Sequence, residues 1–62
     1  MIVALAAVKS GTVEKRNTQF LSVKEWIDIN FRYWGFYEIS KVKGKKQYVI
    51  SMAGEPVYRV YY

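Results

Sequence analysis

The chain has no cysteine and no histidine among its 62 residues. Without cysteine it forms neither disulfide bonds nor thiolates, so the fold depends on packing alone and is compatible with a reducing cytoplasm. Without histidine it lacks the commonest general base and the commonest ligand of transition metals. Both absences argue against an enzyme and against a metal site.

Long hydrophobic runs are also missing. The longest extends from Ile2 to Val8, which is too short to cross a bilayer, and no basic segment precedes it as in a signal peptide. We therefore expect a cytoplasmic protein that makes no membrane contact. The length predicts one small basic domain, residues 1–62, near the lower limit at which a single core offsets chain entropy.

Acidic residues are scarce, since five Asp and Glu stand against ten Lys and Arg and leave a formal net charge of +5. Such a charge attracts phosphate backbones, anionic surfaces or acidic patches on other proteins. Apolar residues, by contrast, are plentiful, at 52% hydrophobic and 18% aromatic. This supply of large apolar side chains indicates a folded domain and not a disordered one.

The middle of the chain predicts one helix. Ser22 followed by Glu25 is a capping-box pattern, and Leu21 is spaced to contact Trp26 across the first turn, so the helix is expected to begin at Val23. Gly35 is placed to end it. The apolar side of this helix covers about half of its circumference. It comprises Val23, Trp26, Ile27, Asn30, Phe31 and Trp34, widened by Ile29 and Tyr33.

The other side of the predicted helix is charged. Lys24, Asp28 and Arg32 follow one another at intervals of four residues, a spacing that predicts two ion pairs. A helix that reads the major groove needs exposed donors that are not already paired. We therefore interpret this side as a solvent-facing surface, which assigns any nucleic-acid contact to the sheet.

From Phe36 onward the apolar residues alternate with polar ones, which predicts three antiparallel strands over 36–42, 46–52 and 57–62. Turns are expected at Lys43-Gly44 and Gly54-Glu55, where glycine supplies the positive φ of tight hairpins. The apolar N-terminal run predicts a strand covered on both faces. Polar residues 12–19 predict a loop or a solvated edge strand, with only Val13 pointing inward.

The predicted fold class is therefore α+β, with one amphipathic helix packed on an antiparallel β-sheet of four to five strands. The N-terminal strand, the helix and a C-terminal three-strand meander follow in that order, which is too common to identify a family. Two-residue turns would direct Val57 and Tyr61 toward the helix and leave Tyr58 and Tyr62 on the opposite face. A one-residue shift in either turn would exchange these faces.

Four lysines surround the first predicted turn, and no acidic residue occurs between Ile39 and Gly54. A two-residue turn would place Lys41 opposite Lys46, a repulsive pair that gives a structural hairpin no benefit. The lysines could therefore hold a sugar-phosphate backbone. Equally, they could form a solvated turn that prevents aggregation through the sheet edge.

No catalytic residue, metal site or cofactor is predicted. Glu25 and Asp28 are the only acids close enough to share a local surface, and both have cationic neighbours. There is no glycine-rich phosphate loop and no pairing of a nucleophile with a base. We therefore expect a protein that is not an enzyme.

The leading hypothesis is a small nucleic-acid-binding protein, for DNA or RNA, that contacts the phosphate backbone with little base specificity. Aromatic rings beside cations are typical of sheets that bind single strands. The candidate binding residues are Lys41, Lys43, Lys45, Lys46, Tyr58, Tyr62, Lys15 and Arg16. The alternative is a protein-interaction module, such as a phage-type or plasmid-type modulator that binds an acidic patch on a larger host protein, or a homodimer.

Overall fold

One helix lies across one face of a five-stranded antiparallel sheet in the computed structural model, which describes residues 1–62. The strands are ordered β2-β1-β5-β4-β3 in the sheet. This architecture confirms the predicted α+β class. The elements are β1 (Ile2–Ala7), β2 (Val13–Asn17), α1 (Val23–Phe31), a 3-10 turn (Arg32–Trp34), β3 (Glu38–Lys41), β4 (Gln47–Met52) and β5 (Glu55–Tyr61).

The helix begins where the capping pattern predicted. The Ser22 hydroxyl accepts a hydrogen bond from the Glu25 backbone N–H at 3.2 Å, which satisfies one of the free donors of the first turn. After α1 the chain tightens into the 3-10 turn, and Gly35 ends it with a φ of 86°. Neither helical segment has the length and apolar character needed to cross a membrane.

The core lies between α1 and one face of the sheet. The helix contributes Val23, Trp26, Ile27 and Phe31, all buried, as the apolar pattern predicted. The predicted apolar surface is only partly covered, because Ile29 and Tyr33 remain exposed. The buried sheet residues that complete the core are Val3, Ile50 and Val60.

The turn between β4 and β5 contains Ala53 and Gly54, so the prediction of a turn at Gly54-Glu55 is wrong by one residue. Both turn residues have positive φ, 53° and 79°, as in the type I′ turns that suit the twist of hairpins. A bulge follows, since Ser51 pairs with Pro56 whereas Ile50 pairs with Tyr58. The bulge moves the rest of β5 by one residue relative to β4.

This shift exchanges the two faces of β5. Val60 is opposite Leu5 and Tyr48, and it is fully buried under α1, so alternate residues of β5 face the helix. The prediction that Tyr58 and Tyr62 lie on the face opposite the helix is therefore wrong. Tyr61 takes that position, together with Val57.

β1 lies between β2 and β5 and is covered on one face only. Val3 is buried under α1, whereas Ala4 and Ala6 point to the other face, which no element of the chain covers. The prediction of a strand covered on both faces is wrong, because alanines in place of polar residues hide the alternation. Val13 also points to the uncovered face and is 59% exposed, which contradicts its predicted inward position.

The predicted ion pairs on the outer side of α1 are absent. Asp28 instead accepts hydrogen bonds from the Tyr37 hydroxyl, at 3.2 Å to the Oδ1 atom and at 3.3 Å to the backbone oxygen. These bonds connect the helix to the segment that leads into β3. The contact with Tyr37 therefore replaces the predicted pairs of Asp28 with Lys24 and Arg32.

Candidate nucleic-acid interface

The loop between β3 and β4 is longer than predicted. The backbone N–H of Val42 donates to the oxygen of Gln47 at 2.9 Å, so the loop contains residues 43–46 and not two residues. Within it, the N–H of Lys45 donates to the oxygen of Val42 at 3.2 Å, and Gly44 has a φ of 75°. Residues 42–45 therefore form a type II turn, in which the first and fourth residues share a hydrogen bond and the third has a positive φ.

The longer loop changes the pairing of its lysines. Lys41 is opposite Tyr48, so the predicted repulsive pair with Lys46 is wrong. Lys41 is the last residue of β3, while Lys43, Lys45 and Lys46 lie in the loop itself. All four side chains are exposed. We refer to these four residues as the lysine hairpin.

No carboxylate neutralises the lysine hairpin. The single ion pair of the structure joins Arg16 to Glu14, on a different edge of the sheet. Glu38 lies at the start of β3 and Glu55 at the start of β5, which places both at the other end of the sheet from this loop. The positive charge of the loop therefore projects into solvent uncompensated.

Two stacked tyrosines lie at the base of the lysine hairpin. The rings of Tyr48 and Tyr62 have centroids 5.5 Å apart and planes inclined by 24°, and both residues are half-buried. Lys41 is the cross-strand neighbour of Tyr48, and the Tyr62 N–H donates to the Lys46 oxygen at 3.1 Å. The structure thus brings Tyr62 next to the lysines, but on the helix side of the sheet and not on the predicted opposite face.

Tyr58 has a different environment. Its ring lies 5.5 Å from both Phe31 and Trp34, in an aromatic cluster where the 3-10 turn follows α1. Rings at such distances and inclined angles make favourable edge contacts. Tyr58 is therefore a packing residue between helix and sheet, and the structure separates it from the lysine hairpin.

Lys15 and Arg16 do not act as a pair. They are consecutive residues of β2, so their side chains leave opposite faces of the sheet. Arg16 is opposite Val3 on the helix side and is ion-paired with Glu14. Lys15 is opposite Ala4 on the uncovered face and has no acidic partner.

Sequence reasoning missed Tyr48, Tyr61 and Arg59 as surface candidates. Arg59 and Tyr61 share the uncovered face of the central strand β5. Ala53-Gly54 was the available signal for the turn, because glycine at the second of two turn residues is typical of a type I′ hairpin. Placing the turn there moves the pairing of β5 by two residues and leaves its faces as predicted. The bulge between Ile50 and Ser51, for which the sequence gives no signal, moves Tyr61 outward.

Among the ionisable side chains, Tyr37 has a pKa that is clearly displaced from its ordinary value. Partial desolvation of Tyr37, followed by its hydrogen bond to Asp28 and the negative charge of that carboxylate, raises the pKa of this phenol above its ordinary value, while Arg32 opposes the change. Tyr37 thus remains a protonated donor that fixes the helix. Nowhere do three or more acidic side chains converge in a way that could hold a metal ion.

Comparison of the chain with protein-family models, with curated proteins and with solved structures finds no match. The function must therefore be argued from the surface itself. The features that an interaction could use are the lysine hairpin, the stacked tyrosines beside it and the uncovered face of the sheet.

Proposed function

We propose that this protein binds nucleic acid without catalysing a reaction, and that the lysine hairpin contacts the phosphate backbone. The observation that carries the proposal is the exposure of Lys41, Lys43, Lys45 and Lys46 with no carboxylate paired to any of them. Uncompensated cations on a protruding loop attract a polyanion and release its counterions. Such contacts position a protein but carry no base information, so little sequence specificity is expected.

The rest of the surface supports the same partner. Lys46 lies beside the stacked pair of Tyr48 and Tyr62, so ring faces and ammonium groups are available together. Lys15 adds a cation without an acidic partner on the other face of the sheet. Aromatic rings next to cations are the combination that binds bases and phosphates together.

The proposal is tested by the salt dependence of oligonucleotide binding. Each phosphate neutralised contributes a slope of about −0.9 on duplex DNA and about −0.7 on single strands in a plot of log K against log salt. Fluorescence anisotropy with labelled oligonucleotides at several salt concentrations should therefore show affinity that falls steeply as salt is added. The variant with Lys43, Lys45 and Lys46 changed to glutamate should lose most of the affinity and flatten this slope.

A charge-matched control separates local from global electrostatics. Changing Lys9, Lys24 and Arg32 to glutamate alters the net charge equally, but at exposed positions outside the lysine hairpin. This control should keep most of the binding. Equal losses in the two triple variants would mean that net charge alone is responsible, and unchanged binding in the hairpin variant would remove the lysines from the function.

Exposed aromatic residues favour a second function, that of a protein-interaction module. Phe20 and Phe36 are fully or almost fully exposed, and Tyr33 is 81% exposed. Aromatic side chains are enriched in protein interfaces, whereas a monomer gains little from leaving them in water. The partner would be a larger host protein with an acidic patch, of the kind bound by a phage-type or plasmid-type modulator, or a second copy of the chain.

Two measurements distinguish this second function from the first. Size-exclusion chromatography at several protein concentrations detects a homodimer. Capture from a host lysate treated with nuclease should retain a protein partner only if the contact does not depend on nucleic acid. Loss of that partner when Phe20 and Phe36 are changed to serine, with oligonucleotide binding unchanged, would favour the interaction module.

A further inference from the structure

The face of the sheet opposite α1 is uncovered and carries its side chains in regular rows. The strand pairing places Lys15, Ala4, Tyr61 and Gln47 side by side on β2, β1, β5 and β4. The next row, two residues away along each strand, contains Val13, Ala6, Arg59 and Val49. We refer to these two rows as the open face.

The chemistry of the open face is set by Tyr61 and Arg59 on the central strand. Both are exposed, Tyr61 by 41%, and they lie about 7 Å apart along β5 because they are two positions apart in the strand. Ala4 is small and leaves the Tyr61 ring accessible from the side of β1, whereas Gln47, its neighbour on β4, is buried. Lys15 stands beyond Ala4, two strand spacings or about 10 Å from Tyr61.

The charge of the open face has one sign. Lys15 and Arg59 are without acidic partners, and Glu14 and Arg16 lie on the other side of β2. The nearest acid on the same side of the sheet is Glu38, which pairs with Ser51 at the end away from the lysine hairpin. The lysine hairpin borders the open face at the end of the sheet, because Lys46 directly precedes Gln47 along the chain. Lys41 and Lys46 themselves start from the helix side, next to Tyr48 and Tyr62.

We infer that the open face binds single-stranded nucleic acid, with a base stacked on Tyr61 and phosphates held by Arg59, Lys15 and the lysine hairpin. This inference rests on the proposed function and specifies its substrate. A single strand can turn its bases toward an aromatic ring on a sheet, whereas a duplex keeps them stacked inside. An exposed ring in the middle of a sheet can therefore stack on a base of a single strand, but not on a base inside a duplex.

A second copy of the chain fits the open face less well. Val13 on the open face and Ile2 in the row beside it are apolar and exposed, as in an interface. Two such faces in contact, however, would bring Arg59 and Lys15 of each copy against a surface that carries cations and almost no acid. Like charges brought together in this way oppose association, whereas a polyanion complements them.

The test is a titration of the isotope-labelled full chain with an oligothymidylate of about a dozen nucleotides, a length within the usual range of such sites, followed by NMR. The backbone amides of Ala4, Ala6, Arg59 and Tyr61 should shift, together with those of the lysine hairpin. The amides of Lys24 and Glu25 on the helix should not. A duplex of the same length should shift only the lysine hairpin.

Variants of the central strand make the test sharper. Tyr61→Phe should bind the single strand as the wild type does, and Tyr61→Ala should bind it about tenfold more weakly, since the stacking surface is lost. Arg59→Gln, at an exposed position that leaves the core intact, should lower the salt slope by about one. Neither Tyr61→Ala nor Arg59→Gln should change duplex binding.

Three results would overturn the inference in distinguishable ways. If the hairpin triple variant loses binding but Tyr61→Ala and Arg59→Gln bind the single strand normally, the proposed function stands and the open face is not the site. If neither oligonucleotide binds the wild type, both proposals are wrong. If the open-face amides shift with protein concentration alone and sedimentation gives twice the monomer mass, a second copy occupies the face.

Discussion

At the scale of single residues, Ile27 and Ile29 show how position decides the contribution of the same side chain. Both belong to α1, but Ile27 is fully buried against the sheet and Ile29 is 48% exposed. The buried side chain is removed from water on folding and has close neighbours on all sides. The exposed one has little to lose when it is shortened.

We therefore predict that Ile27→Val lowers the free energy of unfolding by about 0.5–1.5 kcal/mol. The matched control, Ile29→Val, should change it by less than about 0.5 kcal/mol. Urea unfolding monitored by circular dichroism measures both. Equal losses in the two variants would mean that α1 does not pack on the sheet through Ile27.

Tyr37 makes stability depend on pH in a defined direction. Its pKa in the folded state is raised above the ordinary value of 10.0, chiefly by desolvation and then by its hydrogen bond to Asp28. The folded state thus holds this proton more tightly than the unfolded state does. The resulting stabilisation is complete below about pH 10 and is lost as the pH rises toward the folded pKa.

Tyr37→Phe should accordingly be less stable than the wild type near neutral pH, because the bonds to Asp28 are absent. The difference between the two proteins should shrink as the pH rises above about 10, where the wild-type phenol begins to ionise. Urea unfolding at about pH 8 and pH 10.5 tests this. A difference that stays constant would contradict the assignment, since the other titrating groups are common to both proteins.

At the scale of elements, the hairpin of β4 and β5 combines a strained turn with a bulge that determines which residues of β5 become surface. Ala53 has a φ of 53°, a conformation that costs an L-residue other than glycine or asparagine about 1–2 kcal/mol. The bulge that follows this turn keeps Tyr58 and Val60 under the helix and Tyr61 outside. Replacing the strained residue should therefore strengthen the hairpin without altering its register.

Ala53→Asn should raise the free energy of unfolding by about 0.5–1 kcal/mol, because asparagine favours the first position of a type I′ turn. Ala53→Val should lower it, since a β-branched residue tolerates positive φ poorly. Thermal unfolding of the two variants provides the measurement. If both variants had the wild-type melting temperature, the turn would not have the conformation described here.

At the scale of the whole molecule, the strand order couples the two ends of the chain. β5, the last strand, is the middle of the sheet and pairs with β1, the first. One cluster of buried residues joins α1, β1, β4 and β5. The three central strands β1, β4 and β5 cannot therefore lose their contacts while α1 keeps the core.

A single cooperative unfolding transition is the expected consequence. Far-UV circular dichroism follows the backbone, and tryptophan fluorescence follows the contact of buried Trp26 with the sheet. The two midpoints in urea should coincide. Separate midpoints would show that the helix and the sheet unfold independently.

The sequence by itself determined the helix start, the fold class and the position of the lysine hairpin. These features depend on short-range effects: a capping side chain at Ser22, the change of apolar period after Phe36 and a run of lysines around Gly44. Each acts over a few residues, so residues that are close in the sequence are sufficient to predict it. The pairing of residues across strands does not have this property.

Only the tertiary structure decided which tyrosines face outward. A bulge beside Ser51 reverses the alternation of β5, and it does not change the apolar pattern that a sequence displays. The same holds for Asp28, which bonds to Tyr37 and not to the lysine and arginine one turn away. Contacts between distant segments compete with local pairings, and their outcome depends on the packing of α1 over the finished sheet.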